Sequence, residues 1–142
     1  MRKILIINGP NINLLGKREP EIYGFETYDN LCNTIQDCAI VLDVGVDIYQ
    51  SNHEGKIIDK IQDAYGKYDS IIINAGAYAH TSIAILDALR AVNIRTVEVH
   101  LTNIYRRESY RRKSFISEFA EKNFLGEGSN CYIEAMKWII SN

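Results

Sequence analysis

The chain alternates short runs of branched apolar residues with longer segments of helical spacing. "KILIIN" (3–8), "VDIYQS" (46–51), "SIIIN" (70–74) and "TVEVH" (96–100) read as strands. The first and third are nearly uninterrupted apolar runs, as strands covered on both faces should be. Between them, 27–42, 55–65 and 81–92 repeat apolar residues every three or four positions, which predicts helices. Ile57, Ile58, Ile61 and Tyr65 share one face of the second; Ile85, Leu86, Leu89 and Val92 share one face of the third. Thr27 and Ser82 suit N-caps, where a side-chain oxygen can accept from an N–H that has no helical partner. A last helix over 129–141 puts Tyr132, Ile133, Met136, Ile139 and Ile140 on one stripe, and a short fifth strand is expected near 123–125. Strict alternation predicts parallel strands joined by right-handed crossovers. The expected architecture is a single α/β domain over residues 1–142, a flavodoxin-like three-layer sandwich with a five-stranded parallel sheet.

A chain of 142 residues is long enough to bury roughly 68–70% of its unfolded surface, so no disulfide or metal staple is required. Cys32, Cys38 and Cys131 form neither a C-x-x-C pair nor an even set, and small buried or half-buried apolar positions suit them best. A reducing compartment follows. The opening apolar run is too short for a signal peptide, and no stretch approaches a bilayer span, so the cytoplasm is the expected location. A net charge of −2 gives no general attraction to nucleic acid or anionic membrane.

Ligands of such sheets bind beyond the C-terminal ends of the strands. Four segments therefore carry the candidate chemistry: "NGPNINLLGKREPEIYG" (8–24), "QSNHEG" (50–55), "NAGAYAHTS" (74–82) and "HLTNIYRRESYRR" (100–112). They gather Asn8, Asn11, Asn13, Arg18, Tyr23, Asn52, His53, Glu54, Asn74, His80, His100, Asn103 and Arg111 on one sheet edge. Singly, each has an ordinary explanation: Asn in turns, Arg and Tyr on solvated loops, a core histidine, a charged helical face in "RRESYRR". The expected convergence of His53, His80 and His100 on that edge argues otherwise, because imidazole moves protons near neutral pH. The histidines come from separate strand ends without metal-ligand spacing, and no dinucleotide, Walker or nucleophile-elbow pattern is present. The candidate base is then Tyr23, five residues after Arg18. A free tyrosine ionises near pH 10, and a cation within about 4–6 Å can lower that by about 1–3 units.

These four segments, in order and spacing, resemble the type II 3-dehydroquinate dehydratases, and the likeness spans nearly the whole chain. The resemblance implies dehydration of 3-dehydroquinate to 3-dehydroshikimate, a step of the shikimate pathway, by anti elimination through an enolate and without metal or organic cofactor. It implies Tyr23 as the base, supported by Arg18, and His100 as the acid, oriented by Glu98. Asn11 would hold the water or enolate oxygen, and Asn74, His80, Leu101, Thr102 and Arg111 the substrate. Asp87 would reach a neighbouring subunit's site in a homododecamer built from trimers. Three positions depart from the family's habit: Cys131 stands where Gly is common, Tyr105 where His is, and Ala75 where Pro is. Two rival readings remain, a non-catalytic binder of a small polyhydroxy acid and a flavodoxin-like interaction module with bound flavin.

Overall fold

The apolar runs become one parallel sheet in a computed structural model describing residues 1–142. The strands are β1 (Lys3–Asn8), β2 (Gly45–Gln50), β3 (Ser70–Asn74), β4 (Arg95–His100) and β5 (Lys122–Leu125). Their order is β2-β1-β3-β4-β5, with every pairing parallel. The helices are α1 (Pro20–Tyr23), α2 (Tyr28–Leu42), α3 (Glu54–Asp63), α4 (Ile83–Val92) and α5 (Asn130–Ser141). Thr27 and Ser82 do cap α2 and α4, accepting from Asn30 N at 3.1 Å and Ile85 N at 3.0 Å.

Alternation along the central strands sorts their side chains between two apolar layers. Ile4, Ile6, Ile72, Val97 and Val99 pack with Leu31, Ile35 and Ala39 of α2 and with Tyr132, Met136 and Ile139 of α5. Leu5, Ile7, Ile71 and Ile73 pack with Ile57 and Ile61 of α3 and with Ile85 and Leu89 of α4. Each fully buried Ile or Leu contributes about 1.5–3 kcal/mol, so slipping one strand by a residue would forfeit several such terms at once.

Local differences from the expected elements have local causes. The helix expected over 55–65, α3, ends at Asp63 rather than 65, and Tyr65 is exposed instead of joining the buried face, because the chain turns through Gly66 at φ +76°. The helix α1 is a single turn with Pro20 at its first position, where the missing N–H costs nothing. One turn is too short to show a periodicity. The "RRESYRR" run is not a helical face: single 3-10 turns at Ile104–Arg106 and Ser109–Arg111 replace it, and Arg107 and Arg111 turn inward. Cys131, in the first turn of α5, is fully buried, and burial pushes its thiol up to about 12.

The loops after β1 and β3 are drawn together at Gly9, whose N–H donates to the Asn74 carbonyl at 2.7 Å. A Cβ at this position would lie 2.3 Å from the Ala75 carbonyl oxygen, a backbone atom that cannot swing aside. Gly9→Ala is therefore expected to cost about 1–3 kcal/mol, read as a lower urea midpoint with an unchanged m-value. An unchanged midpoint would show that the two loops can separate freely.

Candidate active site

A pocket opens at the C-terminal ends of β1, β3 and β4. Pro10, Asn11, Ile12, Arg18 and Tyr23 line it from the first loop, and Asn74, Gly76, Ala77 and His80 from the second. His100, Leu101, Thr102, Ile104, Arg107 and Arg111 complete it. Two expected site residues lie elsewhere. Glu98 sits behind His100, 1% exposed, and Asp87 is exposed on α4, outside the pocket of its own chain.

Strand parity explains why the polar ends point where they do. Asn8 and Asn74 are paired in register and share the face of Ile4, Ile6 and Ile72. Both meet Tyr132 of α5: Asn74 Nδ2 donates to its hydroxyl at 3.0 Å, and that hydroxyl donates to Asn8 Oδ1 at 2.5 Å. Burial pushes the Tyr132 phenol well above its ordinary range, so it stays a hydroxyl that can both donate and accept. Asn74 Oδ1 meanwhile accepts from Gly76 N at 3.2 Å. The amide is thereby fixed at the pocket wall.

Glu98 and His100 have the opposite parity from Val97 and Val99 and so face the other layer. His100 Nε2 lies 2.6 Å from Glu98 Oε2, which leaves Nδ1 for the pocket. Burial alone would raise the Glu98 pKa. The hydrogen bond and charge of His100, with hydrogen bonds from Ser114 and Ser117, outweigh burial and hold it below the ordinary glutamate value. Glu98 is thus a carboxylate at neutral pH, and Nε2–H is the donor.

His80 stacks beside His100 with ring centroids 6.1 Å apart. Its Nδ1–H donates to the Lys113 carbonyl at 2.7 Å, so Nε2 is the free nitrogen. Burial lowers its pKa, and the charges of His100 and Arg111 add to that effect, although the Lys113 bond works against it. His80 is therefore a neutral acceptor at pH 7.

Opposite the histidines stands Tyr23. Its oxygen accepts from Arg18 Nη2 at 3.1 Å and from both terminal nitrogens of Arg107 at 3.3 Å. The two guanidinium carbons lie 4.2 Å and 5.4 Å from the ring centroid. Burial opposes the Arg107 charge, but its bond to Tyr23 and the charges of Tyr23, Glu108 and Glu19 hold its pKa above the usual arginine value. Arg107 also donates to Thr102 Oγ1 at 3.3 Å.

Sequence reasoning missed Arg107, Ser114, Ser117 and Tyr132 as members of this site. Arg107 was visible only as one of several basic residues in "RRESYRR". The expected convergence of all three histidines is corrected: His53 is exposed at the start of α3 and does not line the pocket. Asn13, Asn52 and Asn103 serve loop backbone and neighbouring amides instead. No group of three or more His, Cys, Asp or Glu is placed to hold a metal ion. No helix is long and apolar enough to cross a membrane.

The sequence and the fold are similar to those of known proteins. A 3-dehydroquinate dehydratase of Clostridium botulinum is 53% identical over 142 residues, covering 100% of this chain and 97% of the relative. One of Endomicrobium trichonymphae is 48% identical over 141 residues, covering 99% of each. The crystal structure of a type II dehydroquinase from Butyrivibrio crossotus matches with a TM-score of 0.96 at 47% identity, over 98% of this chain and 97% of that one. The family model described as dehydroquinase class II matches residues 2–140, and with these relatives it establishes that the chain belongs to the class II dehydroquinase family.

Proposed function

We propose that this chain dehydrates 3-dehydroquinate to 3-dehydroshikimate in the cytoplasm, as a homododecamer of trimers. Tyr23, as phenolate, takes the proton alpha to the ketone, and the bond electrons move onto the ketone oxygen to give an enolate. When the enolate collapses, the beta C–O bond breaks and His100 gives its proton to the departing hydroxide, which leaves as water. Asn11 holds the enolate oxygen or its water, Asn74 donates to or accepts from substrate hydroxyls, and the free Nε2 of neutral His80 accepts from one. Arg111 grips the substrate carboxylate, since a guanidinium fork matches two carboxylate oxygens, while Leu101 and Thr102 offer backbone and hydroxyl contacts beside it. Asp87 reaches the site of a neighbouring copy. The observation that carries this reading is the pairing across one pocket of a phenol held by two guanidinium groups with a histidine backed by a buried carboxylate. One partner suits abstraction of a carbon acid, the other protonation of a leaving group.

Mixing the protein with 3-dehydroquinate should produce the growing absorbance of a conjugated enone. Tyr23→Phe keeps the ring but removes the base, and kcat is expected to fall by about 10²–10⁴-fold with little change in substrate binding. A variant that keeps more than about a tenth of wild-type turnover would refute the assignment of Tyr23.

Both guanidinium groups donate to the Tyr23 oxygen and fix it at the pocket wall. Arg18→Gln and Arg107→Gln each remove a charged donor from that oxygen, so each should lower kcat by about tenfold to a hundredfold, the effect of one hydrogen bond to a charged group. Arg107 is 15% exposed and Arg18 28%, so Arg107 is less screened by water and its loss should have the larger effect. Wild-type kcat in both variants would mean that the two cations take no part in the proton abstraction.

Dialysis against EDTA should leave turnover intact, because no cluster of ligating side chains is assembled. Loss of activity that added zinc restores would overturn the cofactor-free mechanism.

A further inference from the structure

Behind the histidine pair lies a segment that does not line the pocket. After the last arginine of the site the chain runs back under β4, and residues 113–117 touch both histidine systems. The Lys113 carbonyl accepts from His80 Nδ1. Phe115 N donates to the Ala79 carbonyl at 2.8 Å, and Ile116 is fully buried, so the segment is pinned to the fold on both sides. Between these anchors, Ser114 Oγ donates to Glu98 Oε2 and Ser117 Oγ donates to Glu98 Oε1 at 2.5 Å. With His100 Nε2 on Oε2, the buried carboxylate has three donors, at least one on each oxygen.

We propose that Ser114 and Ser117 are positioning residues for the acid step: their hydroxyls keep the negative charge on Glu98, and so keep the proton it shares with His100 on Nε2. The inference rests on the reading of His100 as the acid. Its physical basis is the competition between two forms of one pair. In the charged form Glu98 is a carboxylate and His100 an imidazolium that can give up a proton at Nδ1. In the neutral form the shared proton has crossed to Glu98, and the imidazole that remains is a much poorer acid. Burial favours the neutral form, because it disfavours charge. The hydroxyl donors favour the charged form, because a hydrogen bond to a charged oxygen is stronger than one to a neutral acid. Glu98 is 1% exposed and Ser114 is buried beside it, so water cannot replace the Ser114 hydroxyl, whereas Ser117 is an exposed residue.

Ser114→Ala, Ser117→Ala and the double variant remove hydroxyls without adding bulk, and Ser117→Thr retains one. Each alanine variant is expected to lose about tenfold to a hundredfold in kcat, the effect of one hydrogen bond to a charged group. KM for 3-dehydroquinate should change by less than about threefold, since neither serine lines the pocket. In ¹⁵N NMR of histidine-labelled protein, the His100 ring signals, assigned by their loss in His100→Gln, should move in the double variant from a protonated toward an unprotonated Nε2. Ser117→Thr should retain both wild-type kcat and the wild-type signal. If the double variant does not fold, the same comparison is made on Ser117→Ala, at an exposed residue. A folded variant with an unmoved Nε2 signal, or with a moved signal and wild-type kcat, would overturn the proposal. Wild-type kcat in His100→Gln, with the Nε2 signal still moved in the serine variants, would instead overturn the acid assignment and leave the serines' hold on the pair standing.

Discussion

Side-chain alternation in strands clamped between two apolar layers is the constraint on which the site depends. Once Ile4, Ile6 and Ile72 are committed to the α2 and α5 side, Asn8 and Asn74 must follow them, and they arrive beside Tyr132. Once Val97 and Val99 are committed to the same side, Glu98 and His100 must face the other. The polar strand ends have no independent choice, because moving them would expose several isoleucines. A core with large apolar terms in both layers thus aims a handful of hydrogen-bonding groups whose own energies are far smaller.

The second organising principle is uneven compensation of charge. Arg18, Arg107 and Arg111 all reach the pocket, while their carboxylate partners, Glu19 and Glu108, are about half exposed at 52% and 49%. Ion pairs so open to water contribute little. The one carboxylate within the site, Glu98, is turned away from the arginines and occupied by His100 and two serines. The pocket is left with a surplus of positive field, suited to an anionic substrate and to charge that develops during its reaction. The neutral His80, held by the Lys113 carbonyl, adds an acceptor without adding to that charge.

Much of this was legible in the chain itself. The apolar runs and helical repeats determined the strand set, its parallel sense and the edge at which chemistry would collect, since hydrophobic period is a local property that the core obeys. They also brought forward Arg18, Tyr23, Asn74, His80, His100 and Arg111, all at strand ends or in the loops just beyond. Tertiary structure decided what no local pattern encodes. His53 follows a strand as His80 and His100 do, yet β2 is the edge strand on the far side of β1, and its loop ends away from the pocket. Arg107 looks like its basic neighbours until two short 3-10 turns rotate it onto the Tyr23 oxygen. Tyr132 reads as one more apolar position on a helical stripe, and Ser114 and Ser117 as loop residues. Their roles arise from which buried polar groups lie across from them, Asn8 and Asn74 for the tyrosine and Glu98 for the serines. A buried amide or carboxylate must find donors and acceptors, but only the three-dimensional packing determines which distant segment supplies them.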